Sequence, residues 1–314
     1  MKKTLILAFS LISSLACIAQ QRVIFTPRWT SQAQFAGYYV AKEKGFFKDE
    51  GLDVEIRHLK GTSNVSAVEM LRDGQTEIIV STVFEALEQA DDGLDLVNFL
   101  QTSQYGGLMC VSNTPVRNPK VLAGKKIASF KKSVNQVAEL YFKENKIPVT
   151  WVPSINGINL LLAKAVDAVL CYSFNEYIRL LFAKGEIPSE NVVRFSDLNY
   201  DFPADGLFCK RTYYEEHSDI VEAFRRASIQ GWDYCRAHKE EALKIVRKYT
   251  QRNNVKTNDL TQQFMLDEVL RLQENRDGHS SFASITEPMF NRMYQIMKKT
   301  GVIKKQVKYN EFIK

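Results

Sequence analysis

Trp29-Thr-Ser-Gln-Ala-Gln-Phe-Ala-Gly-Tyr-Tyr-Val-Ala-Lys-Glu-Lys-Gly-Phe-Phe47, followed by Gly51-Leu-Asp-Val54, is the stretch from which the rest of the chain can be read. An aromatic and two glutamines lead into a helical pattern that stops at Gly45 and hands over to a strand. This order sets a flat apolar surface and hydrogen-bonding amides at a helix N-terminus, where free backbone N–H groups point outward. Such a layout suits a small, planar, polar molecule. An ordinary amphipathic first helix accounts for Phe35, Ala36, Tyr39 and Val40, but not for Trp29, Gln32 and Gln34 ahead of them.

Outward from this block, short β-branched runs alternate with helical periodicities, which predicts an α/β fold with mainly parallel sheets. Strands are expected at 22–25, 52–58, 77–80, 96–101, 107–111, 126–129, 149–152, 166–171 and 206–210. Helices are expected between them. Beyond 210, apolar stripes at i, i+3, i+4 and i+7 predict helices over 219–249, 257–273 and 287–299. Two α/β units and a helical return imply two lobes, residues 20–108 with 207–314 and residues 109–206. Crossings near 102–110 and 202–210 would let the lobes close on a ligand placed in a cleft between them.

Met1-Lys-Lys-Thr4, an apolar run over 5–16, and small residues at Cys17 and Ala19 read as an export signal over residues 1–19. The apolar run is too short for a stable membrane span. A lipid anchor at Cys17 is the alternative, although Ser14-Leu15-Ala16 fits the usual Leu-small-small pattern poorly. Either way the protein is expected to be periplasmic. Of the 314 residues, 295 then remain, ample for two lobes. A hydrophobic content of 45% and a charged content of 25% are ordinary for a globular chain. The net charge of +6 gathers partly in a lysine-rich end, Lys298 to Lys314, and the basic residues are not interleaved with aromatics along one face, so nucleic acid is not an indicated partner.

Cys110, Cys171, Cys209 and Cys235 form no CxxC pair, and His58, His217, His238 and His279 show no metal-ligand spacing. No metal or cofactor is therefore expected. Cys110 and Cys209 end the similar runs Gly107-Leu-Met-Cys110 and Gly206-Leu-Phe-Cys209, which would make them neighbours on paired strands. A disulfide is one reading of that pair in an exported protein, buried free thiols the other.

Ligands of open α/β sheets bind beyond the carboxyl ends of the strands, so the loops there are the candidate site. They are Pro27-Arg-Trp29 with Gln32 and Gln34; Lys60-Gly-Thr-Ser-Asn64; Ser81-Thr82 with Glu85; Thr102-Ser-Gln-Tyr105; Phe130-Lys-Lys-Ser-Val-Asn135; and Tyr172-Ser-Phe-Asn-Glu-Tyr177. Thr62 and Ser63 lie in a small-polar loop that either offers N–H groups to an anion or caps a helix. The last loop brings Tyr172, Asn175, Glu176 and Tyr177 beside an apolar strand. Its carboxylate can accept two hydrogen bonds from an amino-substituted heterocycle whose ring stacks on the aromatic face. In the other reading Asn175 or Ser173 is an N-cap and Glu176 a solvated first-turn acid. Hydrolase chemistry is not indicated: the chain has no Gly-x-Ser-x-Gly elbow and no Ser/His/Asp spacing.

These residues carry a family resemblance. The 29–47 block with Gly51-Leu-Asp-Val54 resembles the opening of the ABC-transporter solute-binding proteins related to the thiamine-pyrimidine synthases. That family lies in a wider group with nitrate-, sulfonate- and taurine-binding proteins. Leu122-Ala-Gly-Lys-Lys-Ile127 is similar to its entry into the second lobe, and Val166-Asp-Ala-Val169 with Ser173-Phe-Asn-Glu-Tyr177 to its Val-Asp-Ala…Asn-Glu-Tyr segment. The resemblance spans nearly the whole chain after the signal. It implies a type II periplasmic-binding-protein fold, monomeric, delivering a small ligand to an inner-membrane permease with its ATPase. By position, Trp29 and Tyr38 would stack the ring, and Glu176 with Asn175 would meet its amino group.

Two departures bear on the ligand. Pro27-Arg28-Trp29 stands where pyrimidine binders often carry Asp or Asn before the Trp, and the Gly-rich stretch after the second strand is reduced to Gly61-Thr62-Ser63. The expected function is capture of a thiamine pyrimidine precursor of the aminomethylpyrimidine type, without chemistry. The alternative is an alkanesulfonate, taurine or nitrate anion met by Arg28, Lys131 and Lys132. A pyrimidine synthase of the same fold would need a cysteine-rich cluster and a reactive histidine, whereas this chain has isolated cysteines and His58 in its second strand.

Overall fold

The computed structural model describes residues 20–59, 65–130, 132–155, 157–275, 282 and 284–314, with residues 132–134 described by their backbone. The expected export signal with Cys17, the loop residues Thr62 and Ser63, and Lys131 lie outside the described residues. Among the described residues, ten strands form two five-stranded sheets. The first holds β1 (Gln21–Thr26), β2 (Leu52–Ile56), β3 (Ile78–Ser81), β4 (Leu96–Gln101) and β10 (Gly206–Lys210), in the order β2-β1-β3-β10-β4. The second holds β5 (Leu108–Ser112), β6 (Lys126–Ser129), β7 (Thr150–Pro153), β8 (Ala168–Tyr172) and β9 (Val192–Arg194), in the order β7-β6-β8-β5-β9.

The two orders are the same pattern written twice, each with one strand that arrives from the other lobe. Within a lobe, β1 runs parallel to β2 and β3, and β6 parallel to β7 and β8, as helical crossovers require. The visiting strands β10 and β5 enter from the far lobe without such a crossover, and both run antiparallel to both neighbours. The sheets are therefore mixed rather than mainly parallel. The short β9, only three residues long, carries too little pattern to be read in advance.

Helices cover the first sheet with an aromatic core. Phe25, Phe35, Tyr38, Tyr39 and Trp232 are at most 1% exposed. Helix Ala36–Glu43 crosses helix Ser218–Ala237 at two glycines: a Cβ on Gly37 would lie 2.2 Å from Trp232 Cδ2, and one on Gly231 2.1 Å from the Gly37 carbonyl oxygen. The stripe over 219–249 is two helices, Ser218–Ala237 and Lys239–Arg252, because His238 leaves the helical region at φ −134°, ψ 54°. The break turns Ala242, Ile245, Val246 and Tyr249 onto the first helix, where Tyr39 and Tyr249 stack at 4.1 Å.

The crossings run side by side. The Asp205 carbonyl accepts Thr102 N at 3.1 Å and Ser103 N at 2.9 Å, and Gly106 N donates to Asp201 Oδ1 at 2.7 Å. Helix Glu287–Lys299 packs Phe290, Met293 and Met297 into a core shared by Phe84 of the first lobe and Phe142 of the second. Cys110 and Cys209 lie in different sheets, which corrects their expected pairing, and all four described cysteines are buried free thiols. No helix among the described residues is long and apolar enough to cross a membrane.

Candidate ligand-binding cleft

Between the sheets lies a cleft of about 430 Å³, its open mouth included. Arg28, Trp29, Gln32 and Gln34 line it from the first lobe, Phe130, Tyr172, Phe174, Asn175 and Glu176 from the second, and Asp205 from the second crossing. The geometry follows from the topology: these loops leave the carboxyl ends of β1, β6 and β8, where helix N-termini also converge.

Trp29 is 37% exposed at the mouth and meets Phe130 edge to face, with ring centroids 5.9 Å apart. Its backbone is fixed from behind by His58, whose Nδ1 donates to the Trp29 carbonyl at 2.8 Å while Nε2 lies 2.8 Å from the Tyr39 hydroxyl. Burial pushes the His58 pKa down to about 4, which favours a neutral ring with Nε2 as the acceptor. On the other side Tyr172 and Phe174 stack on one another at 5.1 Å.

The charged groups are buried. Glu176 is 5% exposed, so it is not a solvated first-turn acid, and its Oε2 accepts the Tyr172 N–H at 2.9 Å. Burial raises its pKa, against the pull of that hydrogen bond. Asn175 occupies the N-cap of helix Glu176–Lys184 without a side-chain capping bond. Arg28 lies between two carboxylates, Nη1 3.6 Å from Asp205 Oδ1 and Nη2 3.9 Å from Glu85 Oε2. Burial works against its charge, but these carboxylates more than offset it and keep the guanidinium protonated. Burial likewise raises the Asp205 carboxyl, with Arg28 and Gln34 opposing.

Gln34 Nε2 donates to Asp205 Oδ2 at 2.5 Å and Gln34 Oε1 accepts Gln32 Nε2 at 2.6 Å. The two glutamines ahead of the first helix thus act as an amide relay to a carboxylate, not as helix caps.

Of the residues expected at the site, Trp29, Gln34, Tyr172, Asn175 and Glu176 come together in this cleft. Glu85 reaches it through Arg28 and accepts Ser81 Oγ at 2.7 Å, and Thr82 caps helix Val83–Asp91 by accepting Glu85 N at 3.1 Å. Tyr38 is 1% exposed, its ring 4.8 Å from Phe25 and 5.6 Å from Trp232, so it sits in the core behind the cleft. Tyr105 and Tyr177 line a separate groove with Arg194 and Arg271. Arg28, Gln32, Phe130 and Phe174 stand in stretches the sequence singles out. Asp205 does not, because it precedes a strand instead of following one. As β10 is antiparallel, its first residue Gly206 pairs with Ser81 at the carboxyl end of β3, so the residue before it faces the cleft. Among the described residues no group of three or more His, Cys, Asp or Glu could hold a metal ion.

Comparison with known proteins agrees with this architecture. The family described as NMT1/THI5-like matches residues 32–242. The chain is 22% identical to the formylaminopyrimidine-binding protein of Halalkalibacterium halodurans, over 80% of this chain and 77% of that one. It is 20% identical to the riboflavin-binding protein RibY of Chloroflexus aurantiacus, over 93% and 86% of the two chains. The periplasmic aliphatic sulphonate-binding protein SsuA from Escherichia coli superposes with a TM-score of 0.68 at 13% identity, covering 91% of this chain and 95% of that one. The fold is thus the two-lobed α/β fold of periplasmic binding proteins.

Proposed function

The chain belongs to the NMT1/THI5-like family, and on that premise we propose that it is the exported solute-binding component of an ABC importer. It captures a small amino-substituted heterocycle, of the aminomethylpyrimidine type, between its lobes and presents it to a permease and its ATPase without chemistry of its own. Support for the ligand class comes first from charge. Among the described residues lining the cleft, one cation faces two carboxylates, and that cation, Arg28, already stands between Asp205 and Glu85. A sulfonate or nitrate would add a further negative charge beside Glu176 and Asp205 in a poorly solvated space, which is unfavourable. A neutral or cationic ring that offers N–H donors instead satisfies those carboxylates.

The aromatic walls support the same reading, since Trp29, Phe130, Tyr172 and Phe174 supply flat surfaces suited to a ring. Two of the relatives are named for binding heterocycles, a formylaminopyrimidine and riboflavin. The observation that carries the proposal is the buried Glu176 beside these rings. Thermal-shift screening of the purified chain against aminopyrimidines, riboflavin, taurine, alkanesulfonates and nitrate tests it, because a ligand stabilises the folded state by RT ln(1 + [L]/Kd). A rise in melting temperature with aminopyrimidines alone is expected. A rise with sulfonates or nitrate alone would overturn the reading.

A further inference from the structure

Asp205 faces two ways. Its backbone carbonyl accepts Thr102 N, Ser103 N, Gln101 Nε2 at 2.8 Å and Thr102 Oγ1 at 2.8 Å, which pins the residue where the two crossings meet. Its carboxyl enters the cleft, the residue being 9% exposed, and the two oxygens differ. Oδ2 is taken by Gln34 Nε2. Oδ1 is buried without a hydrogen bond from any described residue, and Arg28 Nη1 at 3.6 Å is an electrostatic neighbour beyond hydrogen-bond length. A buried carboxylate oxygen without a donor is unfavourable, and a ligand that supplies one relieves it. Four bonds to its carbonyl hold the group in place beforehand, so little ordering is needed on binding.

We propose that Asp205 is a specificity-determining residue of this cleft: Oδ1 accepts a second N–H donor of the ligand, distinct from the ring amino group assigned to Glu176. The site then selects heterocycles that carry two separate donor groups, such as a ring amine plus an aminomethyl arm, over rings that carry one. The inference rests on the amino-heterocycle reading of the site and deepens it. Arg28 complements this arrangement by opposing the rise that burial imposes on the Asp205 carboxyl, which favours its ionised, acceptor form.

The test uses two probes on the full chain, 4-amino-5-aminomethyl-2-methylpyrimidine and 4-amino-2,5-dimethylpyrimidine, which differ in the second donor and in the positive charge its alkylamine carries near neutral pH. Calorimetry should show the native protein preferring the aminomethyl compound by about tenfold to a hundredfold, the range expected for a hydrogen bond to a charged acceptor. Asp205→Asn keeps the size of the side chain and every backbone bond, and should cut that preference to within about threefold. Glu176→Gln should weaken both probes and preserve the preference. If Asp205→Asn weakened both probes equally, the residue would be a hinge element only and the proposal would fall. Equal affinities in the native protein would overturn it without any variant. If the native protein bound neither probe, the amino-heterocycle reading itself would fail and take this inference with it.

Discussion

Trp29 of the first lobe and Phe130 of the second meet edge to face across the cleft mouth, ring centroids 5.9 Å apart and planes at 83°. Each ring belongs to the loop after the equivalent strand of its own sheet, β1 and β6. The contact therefore joins the lobes at the point where a ring ligand would enter. Because Trp29 is 37% exposed, truncating it removes binding surface and little core packing. Trp29→Ala is expected to abolish binding of an aminopyrimidine while the thermal melt of the ligand-free protein stays close to native. Unchanged affinity by calorimetry would show that the indole does not stack on the ligand.

Glu176→Gln separates the two ligand classes. A buried carboxylate can accept two N–H donors, whereas the amide accepts with one end and donates with the other. An aminopyrimidine should bind about tenfold more weakly or worse, and taurine no more weakly than to the native protein. The reverse order of losses would favour the anion reading.

How much of this was legible in the sequence follows from local pattern. Alternation marks β1, where Val23 and Phe25 are fully buried, and Gly45 in the left-handed region at φ 85° ends the first helical pattern as a glycine should. The aromatic and carboxylate loop at 172–177 could be found because it follows a strand. Asp205 could not, since the direction of β10 is a property of the crossing and not of its own residues. Tyr38 shows the opposite failure: its place on the helix is legible, but facing Trp232 instead of the cleft depends on how closely two distant glycines let their helices approach.

That approach carries its own prediction. A methyl group at position 37 would lie 2.2 Å from the Trp232 ring, closer than real contacts allow, and Trp232 is itself 1% exposed. Gly37→Ala should therefore destabilise the protein by about 3 kcal/mol, at the upper end for overpacking. Urea unfolding of the variant checks this. A loss below about 0.5 kcal/mol would mean that the helices separate freely.

His58 gives a pH dependence. Its ordinary pKa of 6.5 is pushed down to about 4 by burial, so the unfolded chain takes up a proton at a pH where the native chain does not. Stability linked to His58 is complete above about pH 6.5 and is lost as the pH falls toward 4, by at most about 3 kcal/mol. The raised carboxyls of Glu176 and Asp205 contribute a slope of opposite sign, so the comparison must be between proteins that share them. His58→Gln should show a flatter fall in stability between pH 6.5 and 4 than the native protein. Parallel curves from denaturant titrations would exclude a buried neutral imidazole.

The most direct measurement of the whole account is a calorimetric titration of the native chain with 4-amino-2,5-dimethylpyrimidine and with the same ring lacking the amino group. The amino compound should bind at least about tenfold more tightly, and excess taurine should not displace it. Equal binding of the two rings, or displacement by taurine, would contradict a cleft built to receive an amine on a buried carboxylate.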